Sequence, residues 1–139
     1  MRKPHTILIA EDYERLRNQM VSWVGMKNDF VCVSTAEDGE DALRKIQLHE
    51  PEIAFVDITM PKLDGIGLLE RLMEIESPTK VIILSAHCNE MYVRIAVQLG
   101  CCGYIHKSEP EEIWDAVYAV LAGQKYFSKL VVDSVGELK

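Results

Sequence analysis

The chain has 139 residues, 48% hydrophobic and 27% charged, which is typical of a single globular domain with its own core. The net charge of −7 at pH 7 argues against direct nucleic-acid binding by this segment, since such binding needs a basic surface. No apolar run approaches the roughly 20 residues of a membrane span, and no signal peptide precedes the first apolar run, so we expect a cytoplasmic protein that stays out of membranes.

Five short apolar runs, taken in chain order, are each followed by a segment in which apolar residues recur at intervals of three and four. The predicted strands are 6–10, 30–33, 53–57, 81–84 and 103–106. The predicted helices are, approximately, 13–26, 40–49, 64–75, 89–99 and 108–121. The third strand is apolar until its final residue, Asp57, and a buried strand of this kind is typical of the centre of a parallel sheet. Asp64 is placed to cap the third helix.

Strict alternation of strands and helices indicates an α/β fold. Its sheet is expected to be parallel, covered by helices on both faces and joined by right-handed crossovers, which is a doubly wound arrangement. Residues from Lys125 onward fit none of the five predicted units. They are interpreted as a tail or as the start of a linker, which divides the chain into a domain of residues 1–124 and a C-terminal segment of residues 125–139.

Polar residues lie at the carboxyl ends of four of the five predicted strands. They are Glu11 and Asp12 after the first strand, Asp57 as the last residue of the third, Ser85 after the fourth and Lys107 after the fifth. The carboxyl ends of parallel strands lie at one edge of a sheet, so these side chains are expected to converge. A lone Asp57 could equally be a cap or turn residue, but the other polar groups argue for a site.

Three converging carboxylates repel one another and need a counter-charge. Mg²⁺ suits this arrangement because it binds one or two carboxylates and keeps several waters. A carboxylate nucleophile beside Mg²⁺, a lysine and a hydroxyl has what an incoming phosphoryl group requires: a group to attack it and positive charge for its oxygens. The sequence therefore predicts a phosphoryl-accepting site.

The chain resembles the receiver domain of bacterial two-component response regulators over residues 5–123, which is nearly its whole length. The residues that carry the resemblance are Glu11-Asp12, Asp57-Ile58-Thr59-Met60-Pro61, Asp64-Gly65, Ser85-Ala86, Gly103-Tyr104 and Lys107. The resemblance implies a flavodoxin-like fold, as in the chemotaxis receivers, with five strands in the order 2-1-3-4-5 and five helices.

The resemblance also implies a role for each matching residue. Asp57 is expected to accept the phosphoryl group from a histidine kinase, so that the protein is a signalling phosphoacceptor rather than an enzyme. The expected Mg²⁺ ligands are Glu11, Asp12, Asp57 and the main-chain carbonyl of Thr59. Lys107 is expected to bind the phosphoryl oxygens, and Ser85 and Tyr104 to form the switch pair, with Tyr104 moving inward after phosphorylation.

Residues 103–128 resemble the NarL/FixJ subgroup in particular, whose members usually continue into a helix-turn-helix DNA-binding domain. We therefore expect control of a transcriptional effector. The fourth and fifth helices carry apolar residues beyond their core faces, among them Ile95, Trp114 and Tyr118. The fourth helix, fifth strand and fifth helix are thus expected to bind the effector domain or a second copy of the chain.

One position departs from the family pattern. Many receivers have proline after the phosphate-binding lysine, in a cis peptide bond, whereas this chain has Ser108. A cis bond before a residue other than proline costs about 2.5–4 kcal/mol. The geometry of the Lys107–Ser108 bond is therefore left open by the sequence.

Three other functions share part of this pattern. A haloacid-dehalogenase-type phosphatase needs a second Asp two residues after the first, where this chain has Thr59. A flavin- or nucleotide-binding protein needs a phosphate-cradling loop after the first strand, and the acidic, glycine-free residues 11–14 would repel phosphate. A receiver that stands alone, or that docks partners without phosphorylation, stays open as an alternative.

Overall fold

The computed structural model describes residues 3–135. It contains six parallel strands in the order β2-β1-β3-β4-β5-β6. The strands are β1 His5–Ala10, β2 Phe30–Ala36, β3 Ile53–Val56, β4 Lys80–Ser85, β5 Gly103–His106 and β6 Tyr126–Phe127. The helices are α1 Glu14–Gly25, α2 Gly39–His49, α3 Gly65–Glu74, α4 Glu90–Gln98, α5 Ile113–Leu121 and α6 Lys129–Val135, with a 3-10 turn at Pro110–Glu112 before α5.

The predicted flavodoxin-like sheet and its order 2-1-3-4-5 are confirmed, but the predicted counts of five are wrong by one strand and one helix. Both additional elements, β6 and α6, lie in the segment that was interpreted as a tail or linker. A two-residue strand and a seven-residue helix are too short to produce a clear periodic pattern in the sequence.

The sheet separates two apolar clusters. Helices α1 and α5 cover one face, where Met20, Val24 and Val117 pack against inward residues of the strands. Helices α2, α3 and α4 cover the other face, where residues such as Ile46 and Leu68 are buried. All four residues of β3 are buried, as expected for the central strand of a covered parallel sheet.

Three of the helices that follow a strand begin at a side-chain cap. Asp38, Asp64 and Asn89 accept hydrogen bonds from backbone N–H groups in the first turns of α2, α3 and α4. The predicted cap at Asp64 is confirmed, with its Oδ1 2.8 Å from the nitrogen of Gly67. These caps fix where each helix leaves the edge of the sheet that carries the polar residues. No helix within residues 3–135 combines the length and the apolarity needed to cross a bilayer.

The C-terminal segment packs on the domain. Strand β6 pairs with β5 in parallel register, matching Gly103 with Tyr126 and Tyr104 with Phe127. Helix α6 lies against β5 and α4, where Val131 is completely buried. The division of the chain at residue 125 stays a prediction, and residues 136–139 lie outside the described part. Residues 126–135 nevertheless share the core of the preceding domain.

The Val131→Ala variant is expected to lower the free energy of unfolding by about 2 kcal/mol, because it removes two buried methyl groups and leaves a cavity. Val132, the next residue along α6, is 43% exposed and provides a matched control. The Val132→Ala variant should change stability by less than about 0.5 kcal/mol. Urea denaturation of the three proteins measures this difference. Equal midpoints would mean that α6 is not part of the core.

Candidate functional site

The polar residues meet at the carboxyl ends of β1, β3, β4 and β5, and main-chain hydrogen bonds continue the sheet just beyond the strands. The N–H of Asp57 donates to the carbonyl of Ala10 at 3.1 Å, and the N–H of Lys107 donates to the carbonyl of Ser85 at 2.9 Å. These bonds fix the backbone at two site positions. The sequence predicted this convergence, and the geometry agrees with it.

Three carboxylates form the centre of the site. Glu11, Asp12 and Asp57 each offer an oxygen atom, and these atoms lie within 4.8 Å of one another. Glu11 and Asp57 are 2% and 4% exposed, whereas Asp12 faces solvent. The site thus has two buried acids and one acid at its mouth.

Lys107 lies between the two buried acids. Its Nζ is 2.9 Å from Oε1 of Glu11 and 3.0 Å from Oδ2 of Asp57. Burial raises the pKa of Glu11 to about 7, with a smaller rise from the charge of Asp57, although hydrogen bonds from Lys107 and the Tyr13 N–H oppose the shift. Burial also disfavours the charged form of Lys107, but its bonds to Glu11 and Asp57 outweigh this effect and raise its pKa. The pocket therefore favours additional positive charge.

The donor set fits a hard divalent cation. Carboxylate oxygens are the ligands that Mg²⁺ prefers, and a site with one solvent-facing acid leaves room for the waters that this ion retains. Thr59 is exposed, and its N–H lies 3.3 Å from Oδ1 of Asp57. This contact holds the loop after β3 close to the carboxylate.

Ser85 and Tyr104 are both completely buried beside the site. The Ser85 hydroxyl accepts a hydrogen bond from the N–H of His87 at 3.0 Å. The Tyr104 hydroxyl donates to the carbonyl of His87. Burial raises the pKa of Tyr104, so its hydroxyl stays protonated and remains a donor. Tyr104 therefore already occupies an inward position in this structure, with its hydroxyl bonded to the loop after β4.

The Lys107–Ser108 peptide bond is trans, since residues 3–135 contain no cis peptide bond. Ser108 turns back on strand β5, with its N–H and its hydroxyl 3.0 and 2.7 Å from Nδ1 of His106. The N–H of Glu109 donates to the carbonyl of His106 at 2.9 Å. A tight turn closed by these bonds directs Lys107 into the pocket without the proline that many receivers have.

Sequence reasoning missed Arg17, which is 8% exposed. Its Nη1 donates to the main-chain carbonyl of Glu11 at 2.9 Å and more weakly to that of Asp12, and its Nη2 pairs with Glu37. The signal was present in helix α1, where Arg17 interrupts the inward stripe that contains Met20 and Val24. A charged residue at such a position needs partners, and here they are the backbone of the two acids at the end of β1.

Comparisons with known proteins agree with this geometry. Residues 7–118 match the response regulator receiver domain family. The nitrate/nitrite response regulator protein NarL of Escherichia coli is 28% identical over 128 residues, which are 91% of this chain and 59% of NarL. The chemotaxis protein CheY of Bacillus subtilis is 33% identical over 118 residues, which are 84% of this chain and 98% of CheY.

A LuxR-family two-component response regulator from Aurantimonas shares the fold, with a TM-score of 0.90 at 23% identity and 96% coverage of both chains. This chain spans only 55%, 62% and 59% of three of its transcriptional-regulator relatives, DegU, YvfU and NarL. The predicted family is confirmed, and its NarL-type relatives agree with the predicted subgroup. The chain therefore belongs to the response regulator receiver domain family.

Proposed function

We propose that Asp57 accepts a phosphoryl group from a phosphohistidine of a partner kinase. The observation that carries this proposal is the position of Lys107, whose ammonium group contacts the carboxylates of both Asp57 and Glu11. Asp57 would attack the phosphorus atom, the phosphorus–nitrogen bond would break, and the leaving imidazole would keep the electron pair and take up a proton. Lys107 would turn from the carboxylates to the phosphoryl oxygens.

The proposed Mg²⁺ ligands are Glu11, Asp12, Asp57 and the main-chain carbonyl of Thr59. When bound, Mg²⁺ would neutralise negative charge on the acids and on the phosphoryl oxygens. Glu11 would serve as a buried anchor, and Asp12 would hold the exposed side of the site. Arg17 supports this assignment, because its guanidinium fixes the main chain of Glu11 and adds positive charge close to the acids.

After transfer, the Ser85 hydroxyl would donate to the phosphoryl group, since the bond it makes to the His87 N–H uses it only as an acceptor. Tyr104 would then stay in its buried position behind Ser85 rather than move there from outside. The phosphoryl group would stabilise this arrangement of the loop after β4. It would thereby raise the population of the state with Tyr104 buried relative to the state with the loop rearranged.

The proposed output is control of transcription through an attached or separate DNA-binding effector, as the names of the NarL-type relatives suggest. The four cysteines are unpaired, which supports a reducing, cytoplasmic setting for this activity. A receiver that docks partners without phosphorylation is the alternative. Phosphorylation of Asp57 from a small-molecule donor distinguishes the two.

The partner surface expected from the sequence consists of the fourth helix, fifth strand and fifth helix, and the structure suggests a different set of elements. Helix α4 still has an exposed side, where Met91 is 62% exposed. Strand β5, however, is bordered by β6, and α6 covers part of the face beside α4. Trp114 and Tyr118 contact Phe30 on the α1 side of the sheet. We propose that the effector or a second copy contacts α4 and α5 together with α6.

The Glu11→Gln variant is expected to bind Mg²⁺ about tenfold more weakly or worse, because one buried negative charge is lost from the site. Calorimetric titration of each protein with Mg²⁺ at pH 8.5, above the pKa of about 7 that burial gives Glu11, measures the dissociation constant. Glu52→Gln is a suitable control, since Glu52 follows no site strand and instead contacts His5 where β1 begins. Unchanged Mg²⁺ affinity in Glu11→Gln would remove Glu11 from the proposed ligands.

A further inference from the structure

Ser128 lies between strand β6 and helix α6 and is completely buried. Its N–H donates to the carbonyl of Tyr104 at 3.0 Å, and its hydroxyl accepts from the N–H of His106 at 3.0 Å. One serine therefore holds the main chain of β5 at two points. The first point is the residue of the proposed switch, and the second directly precedes Lys107.

The chain on the other side of Lys107 is tied to the same segment. The carboxylate of Glu109 accepts a hydrogen bond from the N–H of Leu130, in the first turn of α6, at 2.9 Å. Glu112 accepts from the Tyr126 hydroxyl at 2.7 Å and from the N–H of Lys129 at 3.2 Å. The turn that presents Lys107 is thus held from both ends by the β6–α6 segment.

Helix α6 also forms one wall around Tyr104. Val131 is completely buried and belongs to the apolar cluster that contains Tyr104 and the inward residues of α4, Val93 and Ala96. The exit of the tyrosine ring toward solvent would require these packed side chains to separate. Because packed cores deform little, α6 favours the inward position of Tyr104.

We infer that Ser128, supported by helix α6, is a positioning residue that holds Lys107 and Tyr104 in the arrangement that receives a phosphoryl group. This inference rests on the proposed function of Asp57. The β6–α6 segment would thus influence the chemistry at Asp57, although none of the segment's side chains is proposed to enter that site. By thermodynamic linkage, phosphoryl binding at Asp57 should in turn tighten the segment.

The test measures the affinity of the protein for beryllium fluoride, BeF₃⁻, an acyl-phosphate mimic, in the presence of Mg²⁺. Ser128→Ala removes the acceptor for the His106 N–H and is expected to weaken binding of BeF₃⁻ by about tenfold, close to the upper limit for one hydrogen bond. Glu109→Ala should weaken binding in the same direction. Glu109→Gln, which keeps an acceptor oxygen for the Leu130 N–H, should restore most of the affinity.

A serine at the opposite end of the sheet provides the matched control. The Ser77 hydroxyl accepts from the N–H of Thr79 at 3.3 Å, a bond of the same type, just before β4 begins. Ser77→Ala should leave the affinity for BeF₃⁻ unchanged. If Ser128→Ala loses stability like Ser77→Ala but binds BeF₃⁻ as tightly as the unsubstituted protein, Ser128 is merely structural and the inference is overturned.

A second measurement reports the position of the Tyr104 side chain in the absence of BeF₃⁻. Fluorotyrosine is incorporated, and the fluorine resonance of Tyr104 is identified by its absence in the Tyr104→Phe variant. In Ser128→Ala this resonance should shift toward the value of a solvent-exposed tyrosine. In Ser77→Ala it should stay where it is. An unshifted resonance contradicts the positioning role. If the unsubstituted protein fails to bind BeF₃⁻, the proposed function of Asp57 is overturned, while the resonance still decides whether Ser128 positions Tyr104.

Discussion

The Asp57→Asn protein is expected to gain no phosphoryl group from acetyl phosphate and Mg²⁺, whereas the unsubstituted protein gains one. An amide oxygen is a poor nucleophile, and Glu11, the other described buried carboxylate in contact with Lys107, is proposed to act as a Mg²⁺ ligand and not as the attacking group. The loss should be complete rather than partial, because the reacting atom itself is removed. Intact-mass spectrometry measures the added group directly.

The control for this experiment is Asp64→Asn. Asp64 caps helix α3 through its Oδ1, and asparagine is an equally good cap, so the fold and the site should be preserved. The Asp64→Asn protein should therefore be phosphorylated at the normal rate. Labelling of Asp57→Asn to the normal extent would place the acceptor on another residue. No labelling of the unsubstituted protein would favour docking without phosphorylation.

Most of the fold could be predicted because its signals are local. The strands at the centre of the sheet are runs of apolar residues, such as 53–56, that are buried on both faces and need no long-range information to recognise. Glu11, Asp57 and Lys107 could be grouped because parallel strands bring their carboxyl ends to one edge. The residues thus indicated the central strands and grouped these three side chains, whereas the order of the strands was an expectation from the family resemblance.

The remainder depends on contacts between distant residues. Tyr126 and Phe127 form a strand only because the edge of β5 is available, and Ser128 is buried only because it bonds Tyr104 and His106. Neither fact has a periodic signal in the sequence. The turn at Ser108 likewise depends on its contacts with the His106 ring, which the sequence does not reveal.

The Gly65→Ala variant is expected to lose about 3 kcal/mol of stability, near the upper end for added volume in a packed region. A Cβ atom at Gly65 would lie 2.6 Å from the carbonyl oxygen of Asp57 and 2.8 Å from Cα of Ile58. Both are main-chain atoms, which cannot move aside as a flexible side chain could. The N–H of Gly65 also donates to the carbonyl of Ile58 at 2.8 Å, so α3 cannot withdraw without losing this bond.

Because the clash falls on the main chain of Asp57, the Gly65→Ala protein should also accept a phosphoryl group from acetyl phosphate more slowly under conditions where it is still folded. Urea denaturation gives the stability, and intact-mass time courses give the rate. Gly25→Ala is the control, since a Cβ there meets nothing within 4 Å at the end of helix α1. That variant should keep the normal rate and gain up to about 1 kcal/mol, as alanine favours the helix. Equal stability of the two variants would mean that α3 does not press on the end of β3.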